Sequence, residues 1–140
     1  MASDQFSLRV LTPSRELISA LVTEVLLPAH DGEVGVLANH GNFIGVLGTG
    51  VLKLVTKGDD YWFMVSSGIF EVRDGQVTVL ADQGEAMSDI NIDAARAKVA
   101  ELEPVLSEKS SYDGDFELLK IEFERAKARL EAHRRTELLN

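Results

Sequence analysis

Along the first part of the chain apolar and polar residues alternate with the period of a pleated strand. Phe6, Leu8 and Val10 fall on one face and Ser7 and Arg9 on the other. Leu52 and Leu54 oppose Lys53 and Lys57 in the same way. Gly58-Asp59-Asp60 then supplies turn chemistry ahead of Tyr61-Trp62-Phe63-Met64-Val65, whose aromatic and branched side chains suit a half-buried sheet. A second hairpin is predicted where Glu71-Val72-Arg73 and Gln76-Val77-Thr78-Val79-Leu80 flank Asp74-Gly75, because both turn positions tolerate positive φ. With further strands near Leu17, over Val22 to Leu27 and over Val34 to Leu37, eight or more short strands are predicted before Gly84. Such a set closes into a flattened antiparallel sandwich or barrel.

After Gly84 the period lengthens. Ile92, Ala95, Val99, Leu102 and Leu106 recur at spacings of three and four, the stripe of an amphipathic helix, with Asn91 as N-cap and Asp93 in the first turn. Pro104 is expected to kink or stop that helix near Glu103, since it lacks the amide hydrogen and crowds the preceding turn. A polar connector over Ser107 to Gly114 leads to a second stripe, Phe116, Leu119, Phe123, Ala126 and Leu130. The short connector predicts an antiparallel pair. The fold class is therefore α+β, with a β-domain over residues 1–84 and a helical hairpin over residues 85–140. Ten of the eleven glycines lie at or before Gly84, which supports the same division.

Composition narrows the possible functions. The chain has 140 residues, 45% of them hydrophobic, with no apolar run near the roughly 18–20 residues that cross a bilayer, so no direct membrane insertion is expected. Its start lacks a basic and apolar export signal. Cysteine is absent, which removes disulfides and thiolate chemistry. A net charge of −9 disfavours nucleic acid. That charge is uneven: residues 85–119 carry nine acids and three bases, whereas residues 120–136 carry three acids and six bases. The second helix ends basic.

Candidate chemistry is sparse, and no catalytic residue is predicted. His30, Asp31, Glu33 and His40 offer the donors of a divalent-metal site in a small β-barrel enzyme, but their spacing does not set two ligands on one strand face. Gly45-Val46-Leu47-Gly48-Thr49-Gly50 lacks the order of a dinucleotide fingerprint and has no following Gly-Lys-Ser/Thr, so it reads as tight turns in the β-domain. No Gly-x-Ser-x-Gly elbow occurs. The residues alone favour a noncatalytic interaction module.

The run Leu27-Pro28-Ala29-His30-Asp31-Gly32-Glu33-Val34-Gly35-Val36-Leu37-Ala38-Asn39-His40 is more specific. Together with Gly50-Val51-Leu52-Lys53, Ser67-Gly68-Ile69-Phe70-Glu71-Val72 and Val77-Thr78-Val79-Leu80-Ala81-Asp82, it resembles the epsilon subunit of bacterial F-type rotary ATP synthase over nearly the whole chain. The resemblance implies a central-stalk protein with no active site and no required cofactor, turning with the gamma subunit on the c-subunit ring. It places the complex on the cytoplasmic face of the bacterial inner membrane. It implies that Asp31, Glu33 and His40 face the rotor.

The same resemblance gives the helices an inhibitory role. The hairpin would open toward the catalytic head, and Arg125, Lys127, Arg129, Arg134 and Arg135 would meet the acidic loop of a catalytic beta subunit, where guanidinium groups can grip carboxylates bidentately. Pairs such as Glu122 with Arg125 or Glu131 with Arg135 within the helix are the plainer alternative. Some relatives bind ATP as a regulatory ligand through an Ile/Leu-Asp-x-x-Arg-Ala motif. Here Ile92, Asp93, Arg96 and Ala97 match it, with Arg125 and Arg129 placed for phosphates. The chain departs from that pattern at Glu103, where a basic residue is expected, and at Pro104. Asp93 capping the helix dipole and pairing with Arg96 is the local alternative. Another possibility is a freestanding ATP sensor that binds nucleotide without gamma.

Overall fold

A computed structural model describes residues 4–138. Seven strands form one hydrogen-bonded sheet: β1 (Phe6–Leu11), β2 (Glu16–Val22), β3 (Glu24–Ala29), β4 (Gly32–Leu37), β5 (Phe43–Val55), β6 (Asp60–Arg73) and β7 (Gln76–Ala86), in the order β2-β1-β7-β6-β5-β3-β4. Laid flat, strands spaced about 4.8 Å apart would hold β2 and β4 about 29 Å from each other. Yet Val22 of β2 and Val36 of β4 belong to one buried cluster with Leu8, Leu27, Leu52 and Phe70. The sheet is therefore folded over on itself, and the sandwich encloses its core between its own two halves.

The fold-over explains why eight short strands were expected and seven, three of them long, are found. β5, β6 and β7 run for 13, 14 and 11 residues. Within β5 both Leu47 and Leu52 face the core, and within β6 both Val65 and Phe70 do, although an odd number of steps separates each pair. The inward face therefore switches in mid-strand. In β6 the switch is made at Ser67 and Gly68, with φ of 62° and 123°. A Cβ at Gly68 would collide with the Leu80 carbonyl oxygen, so only glycine fits there.

The glycines of Gly45 to Gly50 do not make the expected turns; they lie inside β5. The ring of Phe70 packs directly over Gly45, and a Cβ on Gly50 would stand 2.8 Å from Pro28. The sheet is not wholly antiparallel, because β1 pairs in parallel with β7, Leu8 opposite Val77. The stretch from Val22 to Leu27 divides at Thr23, whose amide donates to the Val55 carbonyl at 2.7 Å. Both predicted hairpins form. Thr56 closes the first, its Oγ1 accepting from Asp59 N at 2.9 Å, and Asp74 and Gly75 turn the second with φ of 49° and 78°.

A single 3-10 turn over Met87–Asp89 leads into α1 (Ile92–Glu108), which Asn91 caps through Oδ1 to Ala94 N at 3.0 Å. The helix does not stop at Glu103. It runs through Pro104, an exposed position, with Ser107 Oγ donating to the Pro104 carbonyl at 2.8 Å. Packing of the apolar stripe, in which Ala95 and Leu102 are buried, outweighs the missing backbone bond. Lys109 and Asp115, the caps at either end of the connector, pair at 3.0 Å. Their hydrogen bond raises the lysine pKa and lowers that of the carboxyl.

The second helix, α2 (Phe116–Glu137), returns along α1 and lies across the outer face of β5 and β6. Its buried residues are Ala126, Ala128 and Ala132; Ala128 and Ala132, one turn apart, let the helix approach the strands closely, while Ala126 falls in the stripe of Phe123 and Leu130 that meets Val99 of α1. Val51, Met64 and Ser66 are buried on this outer face, apart from the main core.

Candidate functional site

Two surfaces carry the residues singled out in the sequence. The first is the end of the β-domain bearing the β3–β4 hairpin. Ala29 pairs with Gly32, so the turn consists of His30 and Asp31, with Gly32 and Glu33 already in β4. The turn thus sits one residue earlier than Asp31-Gly32-Glu33. Asp31 and Glu33 are exposed. His40 stands in the following loop, its Nδ1 donating to the Gly41 carbonyl at 2.9 Å and its ring against Phe43, 4.9 Å between centroids. Phe43 meets Phe70 edge-on at 5.5 Å, which ties the histidine to the core. The loop is also clamped by Asn42, which donates to Asp74 Oδ1 at 3.2 Å and accepts from Asp74 N at 3.0 Å. His30, Asp31, Glu33 and His40 are not gathered as ligands: among the described residues no group of three or more His, Asp or Glu could hold a metal ion.

The second surface is the contact between α2 and the β-domain. Arg125 donates through Nε to Ser66 Oγ at 2.7 Å, and the same hydroxyl lies 2.8 Å from Thr49 Oγ1. One turn later Arg129 reaches Glu85, 2.6 Å away, with both side chains largely covered. Arg135 approaches Glu33 at 3.5 Å and gives its Nε to Glu131 at 3.0 Å. Arg134 donates to Glu131 as well, Nε to Oε2 at 2.9 Å. Hydrogen bonds from Arg134 and then Arg135 outweigh partial burial and hold the Glu131 carboxyl down at about 2. Lys127 is exposed, its Nζ 5.3 Å from the Phe123 ring.

The basic residues of α2 therefore do not form one free face. Arg125, Arg129 and Arg135 turn to the β-domain, while Lys127 and Arg134 stay outward. On α1, Asp93 pairs with Arg96 at 3.5 Å, and Ile92 and Ala97 flank them on the same turn and a half. The expected Glu131–Arg135 pair is present, whereas Arg125 goes to Ser66.

Sequence reasoning missed Ser66, Thr49 and Glu85, because nothing local marks them as partners for a helix some fifty residues on. It also missed an exposed apolar row. Val46, Ile69 and Leu80 stand side by side across β5, β6 and β7, exposed by 59%, 46% and 44%, with Ile44 at 69% beside them. A signal was available in the adjacent apolar pairs Val46-Leu47, Ile69-Phe70 and Val79-Leu80, since only one member of each can face inward.

The sequence family described as "ATP synthase, Delta/Epsilon chain, beta-sandwich domain" matches residues 5–87. The chain belongs to the ATP synthase epsilon family. The epsilon chain of Solibacter usitatus is 42% identical over 94 residues, covering 67% of this chain and 70% of its own length. That of Myxococcus xanthus is 30% identical over 128 residues, covering 91% and 94%. In fold, the chain is similar to one from the Euglena gracilis mitochondrial ATP synthase, with a TM-score of 0.80 at 21% identity over 95% of this chain and 83% of that one. The segment matched to the epsilon family contains Glu33, His40, Ser66, Glu85 and the apolar row; the helices that cover part of it lie beyond.

Proposed function

We propose that this chain is a noncatalytic coupling and regulatory subunit of a proton-translocating rotary ATP synthase. Its β-domain, which β7 extends to Ala86 rather than ending at Gly84, holds the gamma subunit and rests on the c ring. Its helical hairpin, which follows Ala86, restrains ATP hydrolysis when it leaves that domain. The single observation behind the first part is the row Val46, Ile69 and Leu80, an apolar strip on an otherwise polar strand face, suited to burial against a partner subunit. Asp31 and Glu33, at the β3–β4 turn and the start of β4, and His40, in the loop beyond the far end of that strand, are all exposed, as contact with polar parts of the rotor requires. A close-packed sandwich beneath them transmits torque with little deformation.

The hairpin reading is supported by the character of its seat. Alanines and three polar contacts fasten α2, so the arm can detach without unfolding the core. Detached, Arg125, Lys127, Arg129, Arg134 and Arg135 would be free for the acidic loop of the catalytic beta subunit. ATP as a regulatory ligand would have to draw Arg125 and Arg129 from Ser66 and Glu85. No helix among the described residues is long and apolar enough to cross a membrane, in keeping with a peripheral place on the cytoplasmic face of the bacterial inner membrane.

Two measurements on the assembled synthase test the proposal. Ile69→Glu should abolish retention of the chain with gamma, while removal of residues 87–140 should raise ATP hydrolysis with assembly intact. Retention of gamma by Ile69→Glu would count against the docking face. Unchanged hydrolysis after truncation would leave the hairpin without an inhibitory role.

A further inference from the structure

A cleft of about 580 Å³ separates the β3–β4 hairpin from the last turns of α2. Pro28, Ala29, Gly50 and Val51 line its β-side, and Ala128 and Arg135 its helical side. Glu33 projects from the first strand residues of the hairpin and meets Arg135 Nη1 at 3.5 Å across this gap. The arginine is already oriented, because its Nε is held by Glu131. Both side chains keep solvent access, 49% for Glu33 and 36% for Arg135, so the carboxylate can exchange one cation for another without first unfolding anything. The tip of the hairpin itself, His30 and Asp31, offers no cation of fixed charge.

We propose that the Glu33 carboxylate is a seat for a single cationic side chain, and that Arg135 of the arm and a lysine or arginine in a polar loop of the docking partner are alternative occupants. This rests on the reading that the β-domain stands on the c ring. It extends that reading: the end of the arm competes directly with the ring for the foot, so a docked arm weakens the foothold and a seated foot loosens the arm. Linkage makes the two effects equal in size. An exposed pair of this geometry sets the coupling at about two- to fivefold.

The test uses the full chain bound to gamma and, as probe, detergent-solubilised c ring, with affinity measured for four proteins. Arg135→Gln, which vacates the seat, should tighten ring binding about two- to fivefold, and Glu33→Gln should weaken it. The double variant should match Glu33→Gln alone, since Arg135 then has nothing to compete for. Amide hydrogen exchange across α2 verifies that each variant remains folded. Ring affinity that is unchanged or reduced in Arg135→Gln, or unchanged in Glu33→Gln, overturns the shared seat while leaving the docking itself standing. Absence of ring binding by the unsubstituted chain with gamma overturns the underlying reading and the shared seat with it.

Discussion

Arg125 donates its Nε hydrogen to the hydroxyl of Ser66 at 2.7 Å, and Ser66 has no exposed surface. A charged donor on the arm is thus satisfied by a hydroxyl that belongs to the sheet, with Thr49 completing the hydroxyl's bonding. The pair joins residues 59 positions apart and ties the last helix to the middle of β6.

Replacing Ser66 with alanine removes the acceptor while leaving a small side chain in place. A hydrogen bond to a charged group is worth about 1.5–3 kcal/mol, so the detached population of the arm should rise between about 13- and 160-fold. Met64, fully buried on the face that α2 crosses, reports this directly. Its oxidation by dilute peroxide, followed by mass spectrometry, should accelerate in Ser66→Ala; an unchanged rate would mean that the arm is held by other contacts.

The stability of α2 should also depend on pH through Glu131. Its carboxyl is held at about 2 in the folded chain, below the ordinary 4.5, mainly by hydrogen bonding from Arg134 and then Arg135. A depressed carboxylate stabilises the fold fully above its unfolded value, and that contribution is lost as pH falls from about 4.5 through about 2. Acid titration followed by the helical dichroism of the hairpin should show this loss, and Glu131→Gln should flatten the curve in that window.

Pro104 stands inside α1 and is exposed. Alanine there restores an intrahelical hydrogen bond and removes the clash with the preceding turn, so Pro104→Ala should stabilise the hairpin by about 1–3 kcal/mol. Thermal unfolding monitored at the helical band should move to higher temperature. A fall would mean that the proline is matched to a local distortion of the helix.

Gly68 combines a φ of 123° with close approach of the Leu80 carbonyl. Gly68→Ala should cost more than about 3 kcal/mol and spoil the point where β6 changes its inward face. Urea unfolding of the purified chain measures the loss, and a cost below 1 kcal/mol would contradict the steric argument.

Much of this architecture was legible because period-two and period-3.6 patterns occupy separate parts of the chain. Asn91 as cap, Asp74-Gly75 as turn and the α1 stripe are local signals, and each is found where the sequence puts it. The long strands were not legible, since the switch of inward face at Ser67-Gly68 breaks the alternation that a strand reading relies on. At Pro104 the sequence left a kink and a stop both open, and the helix runs on because tertiary packing outweighed a local penalty. Of the site, charged residues on α2 stood out by composition. Their partners Ser66, Glu85 and Glu33 did not, because only the return of α2 across β5 and β6 brings them within reach.

The alanines beneath α2 set how the hairpin lets go. A leucine or phenylalanine at Ala128 or Ala132 would sink into the strands and leave an empty socket on departure; a methyl group leaves a shallow dent. The departing helix uncovers Met64 and Val51 on a flat strand face, and reseating covers them again without side chains having to interlock.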